Sequence, residues 1–325
     1  MLEVRDLSIS FRTGAGQVAV TRRLNFSIAP GERLGVVGES GCGKTVTGLS
    51  VLRLLPERQA LIEGQILFEG QDLARLPEAR MRAIRGRDIA MIFQEPMTAL
   101  DPVFSVGEQI AEAYRSHFPV SRAEARERAI AALARVGIPL PARRHDEYPH
   151  QFSGGMRQRV MIAMALICEP KLLIADEPTT ALDVTVQAQI TDLLRELSER
   201  AGTALMFITH DLGVVAEVCT RMLTMYAGEI VEDAPVDDVL MRPRHPYSSG
   251  LLRSLPRLAR HREALPSIRG RVPSPSEMPA GCRFRARCDH AVAACADEQV
   301  ATEVAPGHLA RCGRAAGLDL PGAVA

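Results

Sequence analysis

The sequence predicts an α/β fold: a parallel sheet with crossover helices, an inserted helical segment and a separate cysteine-bearing tail. Three observations carry this reading. From residue 153 onward, helical patterns alternate with short apolar runs at 172–175 and 204–209, and an earlier run at 34–37 leads through a glycine-rich loop into a helix. Such alternation belongs to parallel strands joined by helices. Between residues 95 and 150 the composition turns to alanine and charge, with no strand candidate. Ten of the 21 prolines fall between Pro235 and Pro321, and four of the seven cysteines lie after residue 281.

Taken in order, residues 2–9 alternate apolar and polar side chains as a half-buried strand does. Gly14 and Gly16 mark a turn before a second strand near 18–28. Pro30-Gly31-Glu32 is a turn, and Leu34-Gly35-Val36-Val37 reads as a buried strand. The helix after the glycine-rich loop is expected over 44–55. Residues 121–136 have a helical pattern, and 95–155 reads as a helical subdomain inserted into the core. A helix over 153–168 runs into the strand at 172–175, followed by a helix at 186–201 and a strand at 204–209. Pro256, Pro266, Pro273, Pro275 and Pro279 mark an extended connector. The expected division is residues 1–240 and 241–325.

Composition excludes several classes. Hydrophobic content of 46% and charged content of 24% argue against a mainly disordered chain. Basic and acidic residues number 39 each, so the net charge gives no sign of a nucleic-acid binder. The zero hides a split: residues 1–241 carry a net −6 and residues 242–325 a net +6. Between Arg242 and Ser276 there are eight Arg and a single acid, Glu263. That stretch reads as a solvated linker, or as a contact for an acidic partner or anionic headgroups. No apolar stretch reaches about 18 residues, and the N-terminus lacks the basic and apolar regions of a signal peptide. The chain is therefore expected to stay in the cytoplasm, where an odd count of seven cysteines argues against a disulfide framework. All but two of the cationic side chains are Arg; the lysines are Lys44 and Lys171.

Gly38-Glu39-Ser40-Gly41-Cys42-Gly43-Lys44-Thr45 fits G-x-x-x-x-G-K-[ST] between a predicted strand and a predicted helix. In such a loop, backbone N–H groups converge on phosphates and the helix N-terminus adds a positive end. Lys44 reaches the β- and γ-phosphates as a point charge, and the Thr45 hydroxyl is a Mg²⁺ ligand. Cys42 reads as a small filler within the loop. Leu172-Leu173-Ile174-Ala175-Asp176-Glu177 is an apolar strand ending in two carboxylates. Ligands of open α/β sheets bind beyond the carboxyl ends of strands, so both acids are candidates for the nucleotide site. Asp176 suits Mg²⁺ through water, and Glu177 suits the water that attacks the γ-phosphate.

Phe152-Ser153-Gly154-Gly155-Met156 decides the family. Ser-Gly-Gly before a helix is by itself only an N-cap and an anion nest. With the preceding motifs it resembles the signature of the nucleotide-binding subunits of ATP-binding cassette (ABC) transporters. The resemblance covers residues 1 to about 240. Gly38 to Thr45 matches Walker A, Leu172 to Glu177 matches Walker B, and Gln94 in Ile92-Phe93-Gln94-Glu95-Pro96 matches the Q-loop. Thr180-Ala181-Leu182-Asp183 matches the D-loop, and His210 in Ile208-Thr209-His210-Asp211 matches the switch histidine. The resemblance implies a P-loop NTPase (RecA-like) core with an antiparallel β subdomain and an inserted α-helical subdomain, binding ATP and Mg²⁺. It implies that Gln94 contacts Mg²⁺ and senses membrane subunits. Ser153 and the amides of Gly154 and Gly155 would bind the γ-phosphate across a dimer interface. His210 would contact that phosphate and position Glu177. Phe11 would stack on adenine, in competition with a plain core role. The signature departs from the usual pattern at Phe152 and Met156, and Met156 followed by Arg157-Gln158-Arg159 resembles the peptide-transport branch.

The tail extends that resemblance. Arg244-His245-Pro246-Tyr247-Ser248-Ser249-Gly250-Leu251-Leu252 resembles the extension of oligopeptide, dipeptide and nickel importers, most closely the subunit called D, which works beside one called F. Cys282, Cys288, Cys295 and Cys312 suit Zn²⁺ or an iron–sulfur cluster, although no C-x-x-C pair is present. The D-type resemblance implies a [4Fe–4S] cluster with a structural role. The expected function is ATP hydrolysis that energises import of di- or oligopeptides. Nickel, glutathione or another small solute is the alternative cargo, and a non-transport ABC ATPase acting on nucleic acid is the alternative class. Only 115 positions separate Gly38 from Ser153, which leaves no room for the coiled coil of chromosome-organising types. The implied partners are a second, F-type ATPase subunit, two integral membrane permease subunits and an extracytoplasmic binding protein, with no nucleic acid. The implied place is the cytoplasmic face of the plasma membrane, with residues around 94–114 as the docking surface.

Overall fold

The computed structural model describes residues 1–14, 16–94, 99–180, 182–254, 267–274 and 277–323. Its strands in chain order are β1 (Leu2–Thr13), β2 (Gly16–Ile28), β3 (Arg33–Val37), β4 (Ala60–Phe68), β5 (Gln71–Asp72), β6 (Ile89–Ile92), β7 (Leu172–Asp176), β8 (Ala204–Ile208), β9 (Arg221–Tyr226), β10 (Glu229–Pro235), β11 (Thr302–Ala305) and β12 (His308–Ala310). The chain divides into two compact units. One comprises residues 1–28, 34–74 and 209–325; the other comprises residues 29–33 and 75–208.

The first unit holds two sheets. An antiparallel sheet runs β2–β1–β4–β5, with β1 at its centre and Leu2, Val4, Leu7 and Ile9 buried beneath it. The buried set of β1 moves from even to odd positions between Val4 and Leu7 because a register shift there, with Asp6 at φ 47°, adds one residue and keeps the apolar side chains on one face. In the second sheet β3 pairs parallel with β9, and β9, β10, β12 and β11 continue antiparallel. The last two strands come from a region that reads as an irregular tail. They are four and three residues long, too short to show a period, and pairing with β10 is what makes them strands.

The second unit carries the parallel trio β6–β7–β8. Every residue of the three strands is buried, which is why β7 and β8 read as short apolar runs; β6 is a further strand of the same kind. The helices Val106–Arg115, Arg122–Arg135 and Pro141–Arg144 form the helical segment. Its first described residue is Ala99, because residues 95–98 lie outside the description. Ser105 and Ser121 cap their helices by accepting from the N–H of Glu108 and Glu124, each cap contributing about 1 kcal/mol. Ala125, Ala129, Ala132 and Leu133 recur at helical spacing and form a buried face against the helix Val106–Arg115, so small side chains there permit close packing.

One expectation needs correction. The helix after the glycine-rich loop ends at Val51 rather than Leu55, because Arg53 takes a left-handed φ of 50° just before Pro56. Of the connector prolines, Pro256, Pro266 and Pro275 lie outside the described residues. The flanking chain is ordered by a buried acid. Glu232 on β10 is 1% exposed, and its carboxylate accepts from the N–H groups of Arg244 (2.5 Å) and His245 (3.1 Å) and pairs with His308 Nε2 (2.7 Å).

His245 caps the helix Pro246–Arg253, its Nδ1 accepting from Tyr247 N–H at 3.1 Å. Burial, reinforced by the Arg311 charge, lowers its pKa from 6.5 to about 3. The unfolded chain protonates this ring below about pH 6.5 while the folded chain does not. Its contribution is therefore complete above that pH and is lost as the pH falls towards 3. Urea unfolding should show stability declining by up to about 1.4 kcal/mol per pH unit through this window. His245→Asn, which keeps a capping acceptor, should shallow that slope; an identical slope in both chains would remove His245 as the cause.

Candidate functional site

In the first unit, residues 38–45 turn from β3 into the helix Lys44–Val51. Gly38 has φ 152°, and a Cβ there would sit 2.1 Å from the Met225 carbonyl oxygen. Gly43 has φ 101°, and a Cβ would press on Thr21 Cγ2 at 2.9 Å. Only glycine meets both demands, which is the steric basis of the motif. Lys44 is 5% exposed, and its ammonium donates to the carbonyls of Gly38 (2.7 Å) and Glu39 (3.2 Å). Cys42 is fully buried, and burial pushes its thiol pKa up, against the pull of Lys44. Thr45 is half-buried at the start of the helix. Phe11, half-buried near the end of β1, pairs across the strands with Val18 and Ala60. His210 is exposed, two residues beyond β8 in sequence and within the first unit.

In the second unit, Asp176 ends β7 and is 1% exposed. Glu177 follows with φ 45°, a left-handed backbone held in place by its N–H donating to Ile208 O at 2.8 Å. A non-glycine residue pays about 1–3 kcal/mol in strain for such a conformation, and it aims the side chain away from the strand. The Glu177 Oε2 accepts from Thr180 Oγ1 (2.8 Å) and from Gln94 Nε2 (3.2 Å). Gln94 and Glu177, 83 positions apart, are thus brought together. Thr180 is a partner of Glu177 that the sequence shows only as part of a motif, because a hydroxyl three residues after an acid is not distinctive. Of the Q-loop and D-loop motifs, Glu95, Pro96 and Ala181 lie outside the described residues.

Ser153 caps the helix Gly154–Leu166, accepting from Met156 N–H at 3.4 Å. Ser153 and Gly154 are exposed, and Phe152 is buried. Gly155 packs against the helix Val184–Ala201: a Cβ there would lie 2.6 Å from Val186 Cγ1. The signature therefore presents a capped helix N-terminus with its first amides accessible.

The four tail cysteines line one pocket together with Phe284, His290 and neighbours. Burial pushes the Cys282 thiol up to about 11, and Cys288, Cys295 and Cys312 push in the same direction. Cys282 N–H donates to Cys295 O at 3.0 Å, tying two of the cysteine turns. Among the described residues, no three His, Cys, Asp or Glu side chains are gathered as a metal-ion site. No described helix is long and apolar enough to cross a membrane.

A family profile described as ABC transporter matches residues 21–180, and one described as oligopeptide/dipeptide transporter, C-terminal region, matches residues 231–295. A probable peptide ABC transporter ATP-binding protein of Sinorhizobium fredii is 56% identical over 320 residues, 97% of this chain and 95% of the relative. A putative peptide import ATP-binding protein of Brucella abortus is 50% identical over 312 residues, 96% of this chain and 94% of the relative. The dimeric ATP-binding cassette MJ0796, solved bound to ADP and Pi, matches with a TM-score of 0.65 and 27% identity, covering 73% of this chain and 99% of that one. The motifs, the two profiles and the near full-length relatives agree: the chain belongs to the ABC transporter ATPases, in the branch that carries the oligopeptide/dipeptide transporter C-terminal region.

Proposed function

We propose that the chain is the ATP-hydrolysing subunit of a peptide importer. The observation that carries this is a phosphate loop and a Gln94-bonded, Thr180-bonded Glu177 in one chain that continues into the oligopeptide/dipeptide-type region. The near full-length relatives are described as peptide import or peptide transporter proteins, which supports peptide as the cargo.

In this reading the amides of Ser40, Gly41, Cys42 and Gly43 cradle the phosphates, and Lys44 leaves its loop carbonyls for the β- and γ-phosphates. Thr45, Asp176 and Gln94 are the residues that would hold Mg²⁺, which would offset the charge of the phosphates. Glu177 takes the proton of the attacking water, its carboxylate oriented by Gln94 and Thr180. His210 contacts the γ-phosphate, and Phe11 stacks on adenine. Ser153, Gly154 and Gly155 serve the nucleotide of a partner ATPase. The dimeric state of the similar cassette supports that pairing. The partners are an F-type ATPase subunit, two membrane permeases and an extracytoplasmic binding protein, with this subunit peripheral on the cytoplasmic face. Residues 241–325 form the extension that distinguishes the branch.

For the cysteines we infer an iron–sulfur cluster with a structural role. Four thiolates suit one zinc ion or an iron–sulfur cluster, and the resemblance to D-type subunits favours the cluster. The lining of one pocket by all four thiols supports this reading.

Three outcomes test these assignments. Glu177→Gln should bind MgATP normally and hydrolyse it about 10²–10⁴-fold more slowly; native turnover would remove Glu177 as the base. Lys44→Ala should weaken nucleotide binding in a titration, and unchanged affinity would refute the phosphate-loop assignment. Protein purified without oxygen should contain iron and visible charge-transfer absorbance that Cys288→Ser abolishes. Colourless native protein holding zinc would refute the cluster.

A further inference from the structure

The C-terminal region reaches the phosphate loop. Glu39, the second residue of the loop, is grasped by a residue 248 positions away: Arg287 donates from Nη1 to Oε2 at 2.6 Å and from Nη2 to Oε1 at 3.0 Å. The Arg287 side chain is 5% exposed and that of Glu39 29%. Arg287 is itself fixed by donating to the carbonyls of Arg269 (2.8 Å) and Gly270 (3.4 Å), and it lies over the Tyr226 ring at 5.7 Å. A second contact comes from the helix Pro246–Arg253: the Tyr247 hydroxyl accepts from the Glu39 N–H at 2.8 Å. One residue of the loop is thus held by both its side chain and its backbone.

We propose that Arg287 and Tyr247 are positioning residues for ATP binding, acting through Glu39. The inference rests on the phosphate-loop reading above. A carboxylate inside a phosphate-binding loop opposes the triphosphate by like-charge repulsion. Bidentate pairing with Arg287 neutralises that charge and turns it away from the ligand, while Tyr247 sets the orientation of the Glu39 peptide. The extension thereby sets the charge and backbone orientation at Glu39, a position that the loop motif leaves open. The adjacent residue, Cys288, lines the cysteine pocket, so the same short turn serves both features.

The test uses the full chain, with MgATP affinity measured by titration and folding checked by thermal unfolding. Arg287→Met should weaken MgATP about ten-fold, the effect of leaving one uncompensated charge beside the phosphates. Adding Glu39→Gln to that chain should restore affinity to within about two-fold, because the repelling charge is gone. Tyr247→Phe, which keeps the ring, should weaken binding by about three-fold through the orphaned N–H. Native affinity in a folded Arg287→Met chain overturns the proposal, and so does a double variant that binds no better than Arg287→Met. If Arg287→Met fails to unfold cooperatively, Arg287→Gln, which removes the charge and keeps hydrogen-bond donors, takes its place; native affinity in that folded chain overturns the proposal. Lys44→Ala run in parallel separates the two claims. Its binding unchanged would bring down the phosphate-loop reading; its binding lost while the Arg287 chains bind normally would bring down the clamp alone.

Discussion

The burial of Tyr226 organises the C-terminal third of this protein. The residue ends β9 and is fully buried, with its ring 4.7 Å from Tyr247 and 5.1 Å from Phe284. Phe284 closes the triangle on Tyr247 at 5.4 Å. Each such pair contributes about 0.5–1.5 kcal/mol beyond the area it buries, and none of the three rings shares an element with another. Ile268, Met278, Cys282 and Cys288 pack on the same cluster. Seating Phe284 brings the turn Arg285–Arg287 onto the strand end, and the same turn leads into the cysteine pocket. Seating Tyr247 brings its hydroxyl to the loop. A hydrophobic contact thus places polar groups whose partners are more than 200 residues away in sequence.

The acid at the end of β7 follows a different logic. Asp176 is buried in line with its strand, paired across to Ile208. Glu177 breaks the line with a left-handed backbone and turns its carboxylate onto two donors from separate loops. Adjacent carboxylates thereby acquire different surroundings, one enclosed and one presented. That separation suits one metal-holding acid and one proton-accepting acid.

Much of this was legible in the residues. Of the parallel strands of the second unit, β7 and β8 are legible as short apolar runs, whereas β6, four residues long, was not read from the sequence. The phosphate loop is legible because its glycines answer local steric demands that no other residue meets. The helical segment is legible from its alanine and charge composition and the helical pattern of residues 121–136. The short strands β11 and β12 were not, because a strand of three or four residues carries no period and exists through its partner. Arg287 was hidden among eight residues that include two cysteines and two other arginines, where nothing marks one guanidinium as buried.

The sequence by itself determined the family, the alternating α/β core and the identity of the groups that bind phosphate, because these depend on local backbone geometry and on chemistry carried by contiguous residues. The tertiary structure alone decided which distant groups act together. Gln94 and Thr180 meet on Glu177, and Arg287 and Tyr247 meet on Glu39. Such pairings arise from how buried apolar surface folds the chain back on itself, and long-range packing leaves no periodic trace along the chain.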